Sequence, residues 1–401
     1  LWYNLALLVL VLAVILNLKW LIAFSVSLIL IFLISLYWSR HALDGVSYQR
    51  KWRYRRGFPD EKIDVHIEVQ NNKLIPVPYL RASDPWPMPA GPEDTTVLAP
   101  YHIPGKGLMV NLYSLRWQEH IRRKYTLLLR ERGEYPLGPA RLEASDPFGL
   151  FEQQRDADTR PDSSHGEPAQ EYITVFPRLL PFSALNLPTD DPFGDQRTRR
   201  RLFEDPNQPM GVRDYQPEDD FRRIHWPATA RTGQMQVKVY QPVSSRVLVV
   251  GLNVATADQP WLGVYPARLE QLVRLAATVV NGAIEEGYAV GLISNGCLAH
   301  ADQPFRILPG RSPRQLASLL QALACVTPYI TTAFEDYLVQ SMPQIPYGAT
   351  LVLLTAVASD TLGETLIRLR RYRKNTTVIS IHPEPPAEIP GVRVIHLPFE
   401  G

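Results

Sequence analysis

Residues 1–16 and 21–38 form two charge-free apolar runs, joined by Asn17-Leu18-Lys19-Trp20. The second run matches the ~20 residues a helix needs to cross a ~30 Å hydrocarbon core; the first falls short unless further residues precede Leu1. A signal peptide is the competing reading of the first run. It would need a basic leader and a small-residue cleavage site, and neither is written here. The pattern predicts a transmembrane helical hairpin over residues 1–39. Trp2, Tyr3, Trp20, Tyr37 and Trp38 sit at the run ends, where aromatic belts form. Beyond it the period changes to two. Ile63, Val65, Ile67 and Val69 alternate with Asp64, His66 and Glu68, the mark of a half-buried strand, and Asn71-Asn72 offers a turn. Further short strands over 124–130 and 141–144, with frequent turn signals between them, predict an all-β sandwich over residues 46–152. Asp146, Pro147 and Gly149 read as a turn rather than a site.

Residues 153–207 lose apolar periodicity and read as a polar linker holding one short strand at 173–177. Arg197, Arg199, Arg200 and Arg201 make a basic run inside it, either a solvated loop or a contact for anionic lipid. From residue 246 to 401, buried strands alternate with helices. Residues 247–252, 289–294, 350–354 and 377–381 are apolar runs of strand length. Leu269, Leu272, Val273, Ala276, Val280 and Ile284 recur at helical spacing until Gly287. Ser312-Pro313-Arg314-Gln315 has the form of a capping box, repeated at 332–335 and 361–364. This is the pattern of an open, doubly wound α/β domain.

Between these regions, residues 208–245 carry the densest mixture of charge and aromatics in the chain. Asp214, Glu218, Asp219 and Asp220 stand close to Arg213, Arg222, Arg223 and Arg231, with Tyr215, Phe221, Trp226 and Tyr240 among them. Alternation places Ile224 and Trp226 on one face of an extended segment and Arg223 and His225 on the other. Residues 235–240 then alternate as a half-buried strand. Read this way the segment is a clasp with Trp226 in its core and Arg231 on Asp219 or Asp220; the alternative is a recognition surface. The run resembles the signature of the domain of unknown function 58 family, roughly R-x-Y-x-P-G-D-x-x-R-x-I-x-W-x-x-[ST]-A-R followed by a strand. Glu218 stands where that pattern has glycine, and Pro227 where lysine is common. The resemblance extends to the stretch ending in Asp146-Pro147-Phe148-Gly149-Leu150-Phe151.

The resemblance implies a von Willebrand factor A-like last domain and association with a MoxR-type AAA+ ATPase. In its metal-binding form such a domain carries D-x-S-x-S after the first strand. Here that slot reads Asn253-Val254-Ala255-Thr256-Ala257, which removes the carboxylate and both serines, so no metal or other cofactor is expected. Cys297 and Cys325 are the two cysteines, too few for a disulfide framework. Cys297 and His300 together fall short of a ligand set. No phosphate loop, nucleophile elbow or H-E-x-x-H is present, and a net charge of +2 in 401 residues does not call for nucleic acid. Arg40, Arg50, Lys51, Arg53, Arg55 and Arg56 follow the second apolar run against a lone Lys19 before it, which places the remainder on the cytoplasmic side. The function this predicts is a membrane-tethered cytoplasmic interaction or scaffold protein. The alternative is a hydrolase using the acidic cluster 214–220; a metal-dependent adhesion module is opposed by Asn253.

Overall fold

The computed structural model describes residues 2–157, 171–181, 185, 203–217, 219–243, 246–257, 259, 262–299, 301–346, 348–357, 359–369 and 376–399. The chain divides into two compact units, Leu1–Pro177 and Arg178–Gly401.

The first unit begins with helices α1 (Trp2–Ile15) and α2 (Lys19–Arg40). At 1.5 Å per residue, the 22 residues of α2 extend about 33 Å, against about 21 Å for the 14 of α1. With a mean hydropathy of 2.4 over its most apolar 18 residues, α2 is the one helix among the described residues long and apolar enough to cross a membrane. The expected pair of spans is therefore narrowed to one span-length helix preceded by a shorter apolar one.

Twelve strands come next: β1 (Val46–Trp52), β2 (Arg56–Gly57), β3 (Lys62–Asn71), β4 (Val77–Pro87), β5 (Ala90–Pro92), β6 (Leu98–Pro100), β7 (Lys106–Leu115), β8 (His120–Leu129), β9 (Gly133–Leu137), β10 (Arg141–Ser145), β11 (Glu152–Asp156) and β12 (Glu171–Val175). They make three sheets, ordered β1-β3-β8-β5, β11-β10-β4-β7-β6 and β2-β12-β9. The alternation in β3 is realised, with Ile63, Val65, Ile67 and Val69 all buried. These pack in one core with Leu80, Trp86, Met109, Leu115 and Leu142 from the second sheet. The start of the expected linker belongs instead to β11, which pairs with β10 over its whole length; residues 158–170 lie outside the described residues.

A charged cluster breaks the apolar pattern of this core. On β1, Val46 and Tyr48 point inward and so does Arg50, whose side chain is fully buried. Arg50 Nε and Nη2 donate to the two oxygens of Asp84 on β4, at 2.8 and 2.5 Å, and Nη1 reaches Glu171 of β12 at 3.2 Å. Tyr48 donates to Asp84 at 2.7 Å. Burial, and then the adjacent Asp84 carboxylate, push the Tyr48 phenol well above its usual pKa, which keeps it a donor. A single guanidinium therefore joins all three sheets, each of its bonds charge-assisted.

The second unit contains β13 (Phe203–Asp214), α3 (Trp226–Thr232), β14 (Gln236–Val243), β15 (Val247–Leu252), α4 (Pro266–Glu285), β16 (Ala289–Leu298), β17 (Ala301–Gly310), α5 (Gln315–Cys325), β18 (Val326–Ile330), α6 (Phe334–Ser341), β19 (Thr350–Thr355), α7 (Asp360–Leu369), β20 (Thr376–Ser380) and β21 (Arg393–His396). Strands β13 and β14 pair with each other. The rest form a mixed sheet, β17-β16-β15-β19-β20-β21, with β18 also on β16. Strands β15, β16, β19, β20 and β21 run parallel, while β17 and β18 are antiparallel to β16. The chain leaves β15 toward β16 on one side, then crosses to β19 on the other. Right-handed crossovers in these opposite directions place α4 and α7 on opposite faces. The core that joins α6 and α7 to Val249, Ile293, Leu351 and Leu353 holds no residue of α4, as that requires.

The capping boxes do not form. Helix α5 starts at Gln315 with no side-chain cap, and the Gln315 amide instead bridges the Val290 and Leu308 carbonyls at 2.9 and 3.0 Å. Helix α6 likewise starts at Phe334 without a side-chain cap. At α7 it is Ser359, two residues earlier than expected, whose hydroxyl accepts from the Leu362 amide at 3.4 Å. At 301–310 the strand β17 lies at the sheet edge, where Pro304 and Pro309 are tolerated but interrupt the apolar alternation.

Candidate functional site

The signature segment is the excursion between β13 and β14. The two strands pair from Gly211 opposite Val239 to Asp214 opposite Gln236, and the Tyr215 amide closes on the Met235 carbonyl at 2.9 Å. At the entry, Arg213 grips Asp219 with both terminal nitrogens, at 2.6 and 2.5 Å, and Asp219 also accepts from the Gln216 amide at 2.9 Å. The Arg213 hydrogen bonds first, then the Gln216 amide, hold the Asp219 carboxyl below its ordinary pKa. Asp220 accepts from the Arg222 amide at 3.0 Å and so caps a single 3-10 turn over Phe221–Arg223. Asp214 accepts from the Gln236 amide side chain at 2.5 Å.

The extended segment expected after this turn does not form. Ile224 alone pairs as a bridge with Val237, and both are buried. His225 then caps α3: its Nδ1 accepts from the Ala228 amide at 3.0 Å, and Pro227 falls at the helix start, where a missing N–H costs nothing. Gly233, at φ +70°, ends the helix in the left-handed conformation. A helix starting at Trp226 turns its side chain away from Ile224, and Trp226 is 68% exposed. The core placement expected for Trp226 is therefore corrected: period-two reasoning fails because the period changes at His225. Arg231 is also exposed and, among the described residues, meets neither Asp219 nor Asp220. The partner of Asp219 is Arg213, with Arg223 adding a further attraction.

The segment thus has a locked interior and an unusual exterior. Inside lie Ile224, Gln236 and Val237, while the Arg213–Asp219 pair ties the entry together at the surface, its Arg213 side chain 44% exposed. Outside stand Phe221, Trp226 and Met235, with exposures of 66, 68 and 48%, together with Arg222 and Arg231. Tyr215 is half-buried, its ring 5.6 Å from that of Phe221. Glu218 lies outside the described residues, as do Arg197, Arg199, Arg200, Arg201 and His300. General acid–base work requires a carboxyl that can exchange a proton near neutral pH. Asp219 is held ionised, and Asp214 and Asp220 each accept a hydrogen bond that fixes the fold.

A second location follows from topology. Chain direction reverses about β15, so the crevice beyond the carboxyl ends of β15 and β19 is the ligand position in sheets of this type. It is filled by neutral side chains. Asn253 donates to Thr355 Oγ1 at 3.2 Å and accepts from Asn295 Nδ2 at 3.2 Å and the Ala255 amide at 3.0 Å. Asn295 accepts from the Val254 amide at 2.9 Å, and Thr256 Oγ1 accepts from the Tyr265 amide at 2.6 Å. Asn253, Asn295, Thr256 and Thr355 are all buried. Ala255 and Ala257 bring no oxygen ligand. Among the described residues no three His, Cys, Asp or Glu side chains gather in a metal-binding group. Sequence reasoning identified Asn253 but missed Asn295 and Thr355, which come from other strands. It also missed a cavity of about 410 Å³ beneath α7, lined by residues such as Leu362, Ile367, Val378, His382 and Ile389.

The uncharacterized protein YeaD of Bacillus subtilis (strain 168) is 28% identical over 85 residues, which cover 21% of this chain and 19% of that protein. The alignment therefore spans about a fifth of the relative. Among solved structures, the CARDB domain of the PF1109 protein from Pyrococcus furiosus matches with a TM-score of 0.20 at 12% identity, over 32% of this chain and 91% of that one. The sporulation control protein Spo0M from Bacillus subtilis gives 0.19 at 11% identity, over 35% of this chain and 53% of its own. Residues 211–398, from the signature strand through the mixed sheet, match the family model described as a protein of unknown function, DUF58.

Proposed function

We propose that the chain is a membrane-tethered interaction protein and that the face of the signature carrying Phe221, Trp226, Arg222 and Arg231 receives its partner. The observation that carries this reading is the exposure of Phe221 and Trp226 on a segment whose other groups are tied down. Aromatic and arginine side chains on a rigid support are the residues that dominate protein interfaces. Two exposed guanidiniums and two exposed aromatic rings within one short segment match a partner that is acidic and bears apolar anchors. The family resemblance supplies the class of partner, a MoxR-type AAA+ ATPase. It also supplies a von Willebrand A-like reading of the second unit, in which the neutral network at Asn253 takes the place of a metal. We further propose that α1 pairs with α2 as a hairpin and that the soluble units lie on the cytoplasmic side, as the basic residues after α2 favour.

Affinity capture of the full chain in native membranes, followed by mass spectrometry, tests the partner; Trp226→Ala and Arg231→Ala serve as matched baits. The ATPase should be recovered with wild type and lost with both variants while both remain folded, with cooperative melting transitions. Equal recovery with all three baits refutes the surface; recovery of no ATPase refutes the assigned partner.

A further inference from the structure

The Asp146–Phe151 turn does more than reverse the chain. Asp146 is 2% exposed, and its carboxylate accepts from the Phe148 amide at 3.0 Å and the Phe151 amide at 2.7 Å, while its carbonyl accepts from Gly149 at 3.0 Å. Gly149 takes φ +69°, a conformation that L side chains rarely adopt. The turn is thus locked from within, yet its two large apolar side chains face outward: Phe148 is 57% exposed and Leu150 is 53% exposed. A rigid loop does not display two such residues to water for its own stability.

Its position explains the display. The Phe151 ring meets that of Phe32, on α2, edge-on at 5.0 Å. Phe32 lies eight residues before the end of α2, about 12 Å along the helix axis. If the bilayer ended below Phe32, only residues 19–31 would remain to cross it, about 20 Å of helix against a hydrocarbon core of ~30 Å. A bilayer spanned by α2 must therefore reach past Phe32, and with it past the turn.

Two more loops border the same helix end. The Trp38 indole donates to the Pro76 carbonyl at 3.1 Å, and Lys73 donates to the His41 and Ala42 carbonyls just beyond α2. Between Lys73 and Pro76, Leu74 is 75% exposed. The turn from β7 to β8 is tied to this loop by the Gln118 amide on the Lys73 carbonyl at 3.2 Å, and it carries Trp117, 69% exposed.

Resting on the membrane-tether reading, we propose that this end of the β-rich unit is a lipid-contact collar. Phe148 and Leu150 enter the acyl boundary beside α2, and Leu74 and Trp117 rest at headgroup level. The partner is the bilayer that holds α2. Loops that insert apolar side chains about 5–10 Å deep gain by burying them, and tryptophan favours the headgroup zone. Contacts at three loops would also fix the tilt of the β-rich unit against the membrane, which a single helix leaves open.

The test uses the full chain with Cys297 and Cys325 replaced by serine, reconstituted in vesicles with and without a doxyl-labelled lipid. An NBD label is placed by Phe148→Cys, Leu150→Cys or Leu74→Cys. Leu30→Cys reports on α2, and Met88→Cys, beyond the far end of β4, reports on water. Labels at 148 and 150 should emit to the blue of the Met88 site and be quenched by the lipid-borne doxyl at least threefold more than at 88. Quenching at 30 with water-like signals at 74, 148 and 150 overturns the collar and leaves the tether standing. Water-like signals at 30 as well overturn both.

Discussion

The signature makes opposite forecasts for neighbouring residues. Ile224 is 3% exposed and bridged to Val237, whereas Trp226, two positions on, is 68% exposed. Removing a buried isoleucine to alanine costs about 2–5 kcal/mol. Trp226 hides roughly a third of its surface, on the order of 50–80 Å² for an aromatic of 150–250 Å². At about 25 cal/mol per Å², its truncation costs about 1–2 kcal/mol as an upper bound, since an unfolded chain already hides part of that area. Arg231→Ala, at an exposed site with no carboxylate partner among the described residues, should fall within about ±0.5 kcal/mol. For a unit of this size 1 kcal/mol shifts Tm by about 2–4 °C. Calorimetry on the detergent-solubilised chain should therefore show Ile224→Ala lowering the transition of the second unit by on the order of 5–15 °C. Trp226→Ala should lower it by at most about 8 °C and Arg231→Ala should stay within about 2 °C of wild type. A loss at Trp226 equal to or above that at Ile224 would place the tryptophan in a core and refute the division of the signature into locked interior and receptive exterior.

Three further outcomes rest on the geometry. Arg50→Ala should cost about 3–5 kcal/mol in urea titrations of the first unit, since it leaves Asp84 and Glu171 buried with lost partners; an unchanged midpoint would contradict the shared guanidinium. Asn253→Asp removes the donor to Thr355 and buries a charge, so it should lower stability by about 1–3 kcal/mol, and addition of millimolar Mg²⁺ should not restore the wild-type melting temperature. The Asp219 carboxyl is held below its ordinary pKa, so its stabilising effect is full above the unfolded value and fades as pH falls through the folded one. The advantage of wild type over Asp219→Asn in melting should thus be present at pH 7 and vanish in strong acid; an advantage that grew on acidification would reverse the assignment.

Patterns that repeat within one element were legible in the residues alone. Alternation marked β3, the apolar run 21–38 marked α2, and continuous apolar stretches marked β15, β16 and β19, because burial of a periodic face is a local property of the chain. That Asn253, Ala255 and Ala257 bring no carboxylate was legible too, since it concerns which atoms are present. Tertiary structure decided what depends on distant partners. Arg50 reads as one more basic residue after a membrane helix, and only the meeting of β1, β4 and β12 makes it the ion that joins three sheets. Arg213 and not Arg231 holds Asp219, because the hairpin of β13 and β14 sets which arginine lies beside the turn. Trp226 looked like core from its spacing to Ile224, but the cap at His225 starts a helix there and rotates the ring outward. Phe148 and Leu150 read as part of an ordinary turn, and only the contact of Phe151 with Phe32, far earlier in the chain, sets that turn beside α2. Sequence specifies the periodicity and chemistry of each segment; which charges pair and which apolar side chains remain uncovered is settled when segments far apart are brought within contact distance.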